Sequence, residues 1–235
     1  MAHVEIQMTP SGATLAQQLE PSTPDDLADL IPRDARSRTF LLDADASSAR
    51  APLTFERLDA RLRAFAAGAR PGARVAVVMR GGADLAASLL DAMGGCAAVP
   101  LDPGATRDEL RRALAALPCD CALVDAAAEG AEAVCAELGL PVARAAPRAD
   151  AVDPAAWALP PSADGGGARD RRADAPALYL RTSGTTGRSK TVPRTRFELA
   201  LGARAIAASL ALGADGRADV ALGFMPLYHL SLIHI

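Results

Sequence analysis

Short apolar runs that alternate with helix-forming segments constrain the fold of this 235-residue chain more than any other feature. Arg74 to Met79 is a valine-rich run of strand length, and Gly81-Gly82 then turns the chain into a helical segment, Asp84 to Met93. The alternation continues, with short links, as far as Arg144. Buried parallel strands joined by crossover helices have this pattern. The sequence therefore predicts an α/β fold, in which a mostly parallel sheet is covered by helices on both faces.

The remaining elements follow from apolar spacing and turn residues. A helix capped by Thr54 is predicted to reach Ala67, because its apolar residues recur at helical intervals. The unit around Gly81-Gly82 could also be half of a dinucleotide-binding fold, but the third glycine and the later acidic residue of that motif are absent. The other predicted strands are 39–42, 96–101, 121–124 and 141–144, and the other predicted helices are 25–30, 107–117, 131–138 and 196–212.

The run LYLRTSGTTGRSKTVP, residues 178–193, carries most of the chemistry. Ala177 to Leu180 reads as the end of a buried strand, and in the loop after it the side chains from Thr182 to Thr186 are only hydroxyls or hydrogen. Glycines permit positive φ, so successive amides can converge on an anion, and a lysine adds a mobile charge. A polyphosphate suits such a loop, whereas the alternative is an exposed linker. The candidate phosphate-binding residues are Thr182, Ser183, Gly184, Thr185, Thr186, Gly187 and Lys190.

The spacing of this run excludes two common phosphate loops and matches a third. Neither the Walker A spacing nor G-x-G-x-x-G is present. The run resembles the phosphate loop of the adenylate-forming superfamily, [Y/F]-T-S-G-T-T-G-x-P-K-G, which serves acyl- and aryl-CoA ligases, peptide-synthetase adenylation domains and luciferase-like enzymes. Thr182 to Gly187 match without a gap and Lys190 is in register, while Ser189 and Thr191 replace the usual proline and glycine.

A second run, Gly223 to His229 (GFMPLYH), resembles the next motif of the same family, and a helix at 196–212 fits between the two. In that family the histidine borders the acyl and pyrophosphate sites, which implies a substrate-binding role for His229. Taken without the motif, His229 would be an ordinary strand-end histidine. Thr185 and His229 together favour the CoA-ligase branch over the peptide-synthetase branch. The runs LTFERLDARLR, PGARVAVVM and AAVPLDP resemble the family's N-terminal subdomain.

The resemblance implies a carboxylate-activating ligase that uses ATP, Mg²⁺ and coenzyme A. A small-molecule carboxylic acid would become an acyl-adenylate and then a thioester, with Thr186 and Lys190 as the catalytic residues. Two alternatives remain open. The chain could belong to an adenylation domain that loads a carrier protein in a peptide or polyketide synthetase, or to a non-catalytic nucleotide-binding domain.

Composition and charge exclude several other classes. A net charge of −3 with both signs interspersed gives no nucleic-acid footprint. No apolar stretch has the length of a membrane span, and the N-terminal residues do not resemble a secretory signal. The four cysteines lack metal-ligand spacing, so buried or half-buried free thiols are expected. We expect a cytoplasmic protein, with a peroxisomal location left open.

The domain organisation is expected to be that of a fragment. Predicted segments are an N-terminal extension (1–24), the α/β N-terminal subdomain (25–144), a linker or surface loop (145–176) and the phosphate-loop segment (177–229). Residues 230–235, LSLIHI, are expected to be a sequencing-adapter artefact. Members of the family are much longer, and their later adenine, ribose and hinge motifs are absent from this sequence, so the chain is expected to be a truncated ligase that is inactive alone.

Overall fold

The computed structural model describes residues 37–41, 53–68, 72–125, 128–144, 174–182, 190–212 and residue 227. Eight strands and five helices lie in these ranges. The strands are β1 (Thr39–Leu41), β2 (Leu53–Thr54), β3 (Arg74–Val78), β4 (Ala97–Leu101), β5 (Cys121–Val124), β6 (Val142–Arg144), β7 (Pro176–Thr182) and β8 (Lys190–Thr195). The helices are α1 (Phe55–Gly68), α2 (Ala83–Gly95), α3 (Arg107–Ala116), α4 (Glu129–Glu137) and α5 (Arg196–Ser209).

Six of the strands form one twisted sheet in the order β6-β5-β3-β4-β7-β8. All neighbours are parallel except β7 and β8, which pair antiparallel. The two short strands β1 and β2 form a separate antiparallel pair beside the start of α1. The predicted α/β class with a mostly parallel sheet is confirmed.

The sheet has an apolar core on each face, because alternate residues of each strand point to opposite sides. On the first face, Val75 and Val77 pack with residues of α1 and α2. On the second face, Ala76 and Val78 pack with residues of α3 and α4. Both faces of β3 are therefore buried, which explains why its sequence is a continuous apolar run rather than an alternating one.

Helices α1 and α2 pack closely on the first face. A Cβ atom added at Gly94 would lie 3.1 Å from the Leu62 carbonyl oxygen, so the glycine lets the two backbones approach. A buried ion pair joins the same helices: Arg61 Nε lies 3.1 Å from Asp91 Oδ1, and Arg61 Nη2 lies 2.5 Å from Asp91 Oδ2. Burial raises the pKa of Asp91, and the hydrogen bond and charge of Arg61 partly oppose this.

Most predicted elements are confirmed to within two residues, including the Thr54 cap, whose hydroxyl accepts from the Arg57 amide at 3.3 Å. The predicted helix at 25–30 lies outside the described residues. The prediction was wrong at the start of the phosphate loop, since Thr182 belongs to strand β7 rather than to the loop. Strand β8 was missed, because Pro193 and two charged residues give it neither an apolar run nor an alternating pattern. The cysteines are free thiols, three buried and one half-buried, as expected.

Candidate functional site

The two described ends of the phosphate-loop motif meet in the β7–β8 hairpin. Thr182 is the last residue of β7 and pairs in register with Lys190, the first residue of β8. The Thr182 hydroxyl donates to the Lys190 carbonyl at 3.5 Å, the outer limit for such a bond. The hydroxyl- and glycine-rich run therefore begins and ends at neighbouring backbone positions.

The last residue of β7 and the first residue of β8 both lie at the carboxyl edge of the sheet. Strand β7 is parallel to β4, so its last residue, Thr182, lies at the edge where the parallel strands end. Strand β8 is antiparallel to β7, so its first residue, Lys190, lies at the same edge. Ligands of open α/β sheets bind outside the carboxyl ends of the strands. Lys190 is exposed there, which leaves its ammonium accessible to a ligand.

The other predicted phosphate-binding residues, Ser183, Gly184, Thr185, Thr186 and Gly187, lie outside the described residues, as does His229.

Leu227 is the one residue of the second motif that the structure describes. Leu227 is half-buried and packs against the apolar core of the first face. The same core includes Leu178 and Leu180 of β7, and Leu180 stands two residues before Thr182. Leu227 and the strand that leads into the phosphate loop therefore contact the same core.

Two arginines beside the motif were missed by sequence reasoning. Arg181 stands where the family motif has tyrosine or phenylalanine, a third departure from the pattern. Burial lowers the pKa of Arg181, and the charge of Glu109 opposes this. Arg196, the first residue of α5, is buried and reaches the end of α2. A cation at the start of a helix is unfavourable to that helix, and this was the sequence signal that could have drawn attention to Arg196.

In the described ranges, no group of three or more His, Cys, Asp or Glu side chains could hold a metal ion. None of the helices seen in those ranges combines the length and hydropathy that crossing a membrane requires. Burial raises the pKa of Cys119 and Cys121 to about 12, which keeps both thiols protonated and poorly nucleophilic.

Comparisons with known proteins agree with this fold. The profile of the family described as AMP-binding enzyme matches residues 33–233. A long-chain-fatty-acid-CoA ligase from Archaeoglobus fulgidus is similar in structure, with a TM-score of 0.68 and 22% identity over 89% of this chain and 45% of that one. A benzoate CoA ligase from Burkholderia xenovorans has a TM-score of 0.54 and 18% identity over 73% of this chain and 34% of that one. At such identities the likeness concerns the fold alone.

A third solved structure is MatB from Rhodopseudomonas palustris with ATP bound, which has a TM-score of 0.53 and 26% identity over 68% of this chain and 33% of that one. The chain thus spans less than half the length of these three proteins. No curated protein matches the sequence. Because the family profile covers most of the sequence, and the fold agrees with it, this chain belongs to the AMP-binding enzyme family.

Proposed function

We propose that this chain is the phosphate-binding portion of an ATP-dependent, AMP-forming acid–thiol ligase of the acyl-CoA ligase type. The observation that carries the proposal is the pairing of Thr182 with Lys190 at the carboxyl edge of the sheet, on either side of the matching motif. Membership of the AMP-binding enzyme family and the likeness to ATP-bound MatB support a nucleotide as the ligand.

The identity of the basic residue adds support. Lys190 is the single lysine among the 25 basic residues of the chain, and all others are arginines. Lysine differs from arginine in being a compact point charge on a flexible stem, a form suited to a phosphate that changes position during a reaction. The chain therefore keeps a lysine at the one position where the proposed chemistry needs it.

In the proposed reaction, a carboxylate oxygen attacks the α-phosphorus of ATP. The bond from that phosphorus to the bridging oxygen breaks, and pyrophosphate leaves. Negative charge grows on the departing phosphates, so donors fixed around them stabilise the transition state more than the ground state. We assign this cradle to the residues from Thr182 to Gly187, with Thr186 and Lys190 as its catalytic members.

In the second step, the thiolate of coenzyme A attacks the acyl carbonyl carbon and AMP leaves with its phosphate oxygen. Mg²⁺ would neutralise charge on the phosphates. The described residues supply no carboxylate set for it, so every step here is assigned to the chain's own donors. His229 would border the acyl carboxylate, as the resemblance of its motif implies.

Amine labelling tests the nucleotide site directly on this chain. Because Lys190 is the only lysine and is exposed, a lysine-acylating reagent has two targets, Lys190 and the N-terminal amine of Met1. Saturating Mg²⁺-ATP should slow acylation of Lys190 by about 10-fold or more, since pairing with phosphate favours the ammonium over the free amine, which is the nucleophile. The Met1 amine is the internal control. Equal rates at Lys190 with and without ATP would contradict the proposal.

Substitution tests the chemistry in the full-length gene product. Thr186→Ala or Lys190→Ala should lower carboxylate-dependent ATP–pyrophosphate exchange by about 10- to 1000-fold, the effect of losing one oriented donor. Thr191→Ala is the matched control, because Thr191 lies in β8 outside the assigned cradle. Normal exchange in both site variants would refute the assignment.

A further inference from the structure

Arg196 is a buried cation at the junction of β8 and α5, with 7% of its surface exposed. Its guanidinium donates to two backbone carbonyls about 100 residues earlier in the sequence. Nη1 donates to the Met93 carbonyl, and Nη2 donates to the Cys96 carbonyl at 3.3 Å. Met93 lies in the last turn of α2, and Cys96 is the residue just after that helix.

This contact gives hydrogen-bond donors to carbonyls at the end of helix α2, although a cation is unfavourable at the start of α5. The last four carbonyls of a helix have no partner within it, and they form the negative end of its dipole. The Arg196 guanidinium supplies both the donors and the positive charge that this end favours. Helix α5 obtains its own cap from Thr195, whose hydroxyl accepts from the Glu198 amide at 3.1 Å. Thr195 therefore caps α5, while the Arg196 side chain bonds to the end of α2.

The attachment of β8 depends on this junction. Within the described residues β8 pairs with β7 alone, so it is the edge strand of the sheet. The Arg196 amide also donates to the Ala175 carbonyl at 3.2 Å, just before β7 begins. The buried residues of helix α5 are Arg196 and Ala200, near its start, whereas Ile206 in the helix and Leu210 just after it are 53% and 66% exposed.

We propose that Arg196 is a positioning residue for Lys190. By fixing the end of β8 to the end of α2, it holds the register in which Lys190 opposes Thr182. Strand β8 has six residues, so Arg196 acts from about 20 Å away along the strand. A slip of one residue would turn every β8 side chain to the opposite face, which would move the Lys190 side chain from its position opposite Thr182. The inference rests on the proposed function only for the identity of what Lys190 binds.

Hydrogen exchange on the 235-residue chain tests the structural half of this proposal without any ligand. In Arg196→Met, the β8 amides that are hydrogen-bonded to β7 should exchange about 10-fold or more faster, while the amides of β3 and β5 keep their protection, because local opening is decoupled from global unfolding. Arg196→Lys should have a smaller effect, since an ammonium keeps the charge but lacks the planar fork. Arg144→Met, which removes an exposed arginine from the opposite edge strand, should leave both regions unchanged.

The same variants test the functional half. Arg196→Met should raise the Kd for Mg²⁺-ATP by about 10-fold, because a Lys190 that is no longer held opposite Thr182 loses preorganisation. If the wild-type chain binds no ATP, the proposed function fails, but the exchange experiment still decides whether Arg196 holds β8. The inference is overturned if β8 exchange is unchanged in Arg196→Met, if all strands lose protection together in both variants, or if β8 loosens while ATP affinity stays at the wild-type value.

Discussion

The ion pair between Arg61 and Asp91 makes a sharp prediction about the cost of burying charge. Both side chains are almost fully enclosed, with 7% of the Arg61 side chain and none of the Asp91 side chain exposed. Their two contacts, at 3.1 and 2.5 Å, have the bidentate geometry of a strong charge-assisted pair. The pKa of Asp91 is nevertheless raised, because the loss of solvation exceeds the stabilisation that Arg61 provides. Arg61→Met would remove that stabilisation and leave a buried carboxylate.

We expect Arg61→Met to lower the free energy of unfolding by about 3–5 kcal/mol near neutral pH, the usual result of breaking a buried pair. The double variant Arg61→Met/Asp91→Leu should recover most or all of this loss, because it removes both charges and keeps an apolar volume. Urea unfolding of the wild type, the single variant and the double variant gives the three values. The same data show whether the m-value, the slope of the unfolding free energy against urea concentration, is the same in all three proteins.

The pH dependence supplies an independent check. A carboxyl whose pKa is raised on folding contributes stability below its ordinary value of 3.8, and that contribution is lost as pH rises through the folded pKa. Without Arg61 the folded pKa of Asp91 should rise further. The loss of unfolding free energy in Arg61→Met should therefore become smaller as the pH falls from neutral to about 5. Equal stability of the single and double variants, or a penalty that does not change with pH, would refute the reasoning.

Predictions at three further positions concern the packing and capping of the helices. Gly94→Ala should destabilise the protein by about 1 kcal/mol net, because contact with the Leu62 backbone outweighs the gain in helix propensity. Gly202→Ala, at a helical glycine with no atom within 4 Å of the added Cβ, should instead stabilise it by about 0.5–1 kcal/mol; the same sign for both variants in thermal unfolding would contradict the packing argument. Thr195→Ala should cost about 1 kcal/mol through loss of the α5 cap, while Thr195→Ser should keep it, and equal losses in the two would exclude a role for the hydroxyl.

Much of the sheet could be predicted from the sequence because its central strands are buried on both sides. The continuous apolar run at 75–78 and the Cys121–Val124 run need no partner to be recognised as strands. Strand β8 could not be recognised in this way, since it is an edge strand whose hydrogen bonds come from β7 rather than from any apolar pattern of its own. Its assignment as a strand depended on tertiary pairing. The same pairing shows that Thr182 belongs to strand β7 and not to the loop.

The candidate site likewise has features that the sequence could predict and features that it could not. The order of hydroxyl, glycine and lysine residues was sufficient to predict a phosphate loop and its family, because that chemistry is local in the chain. The assignments of His229 and of the loop residues from Ser183 to Gly187 stay predictions, as do the domain boundaries and the cytoplasmic location. Neither the contact of Leu227 with the first-face core nor the reach of Arg196 to α2 has any local signature.

The sequence by itself determined the α/β class, the positions of the buried strands and a candidate set of polyphosphate-binding residues, since each depends on side-chain chemistry within a few neighbouring residues. Tertiary structure alone decided that Lys190 stands opposite Thr182 at the carboxyl edge and that Arg196 fastens β8 to α2. The first is a backbone pairing across a hairpin, and the second joins a side chain to backbone carbonyls about 100 residues earlier in the sequence. Backbone groups are the same in every residue, so only the folded chain reveals which of them meet.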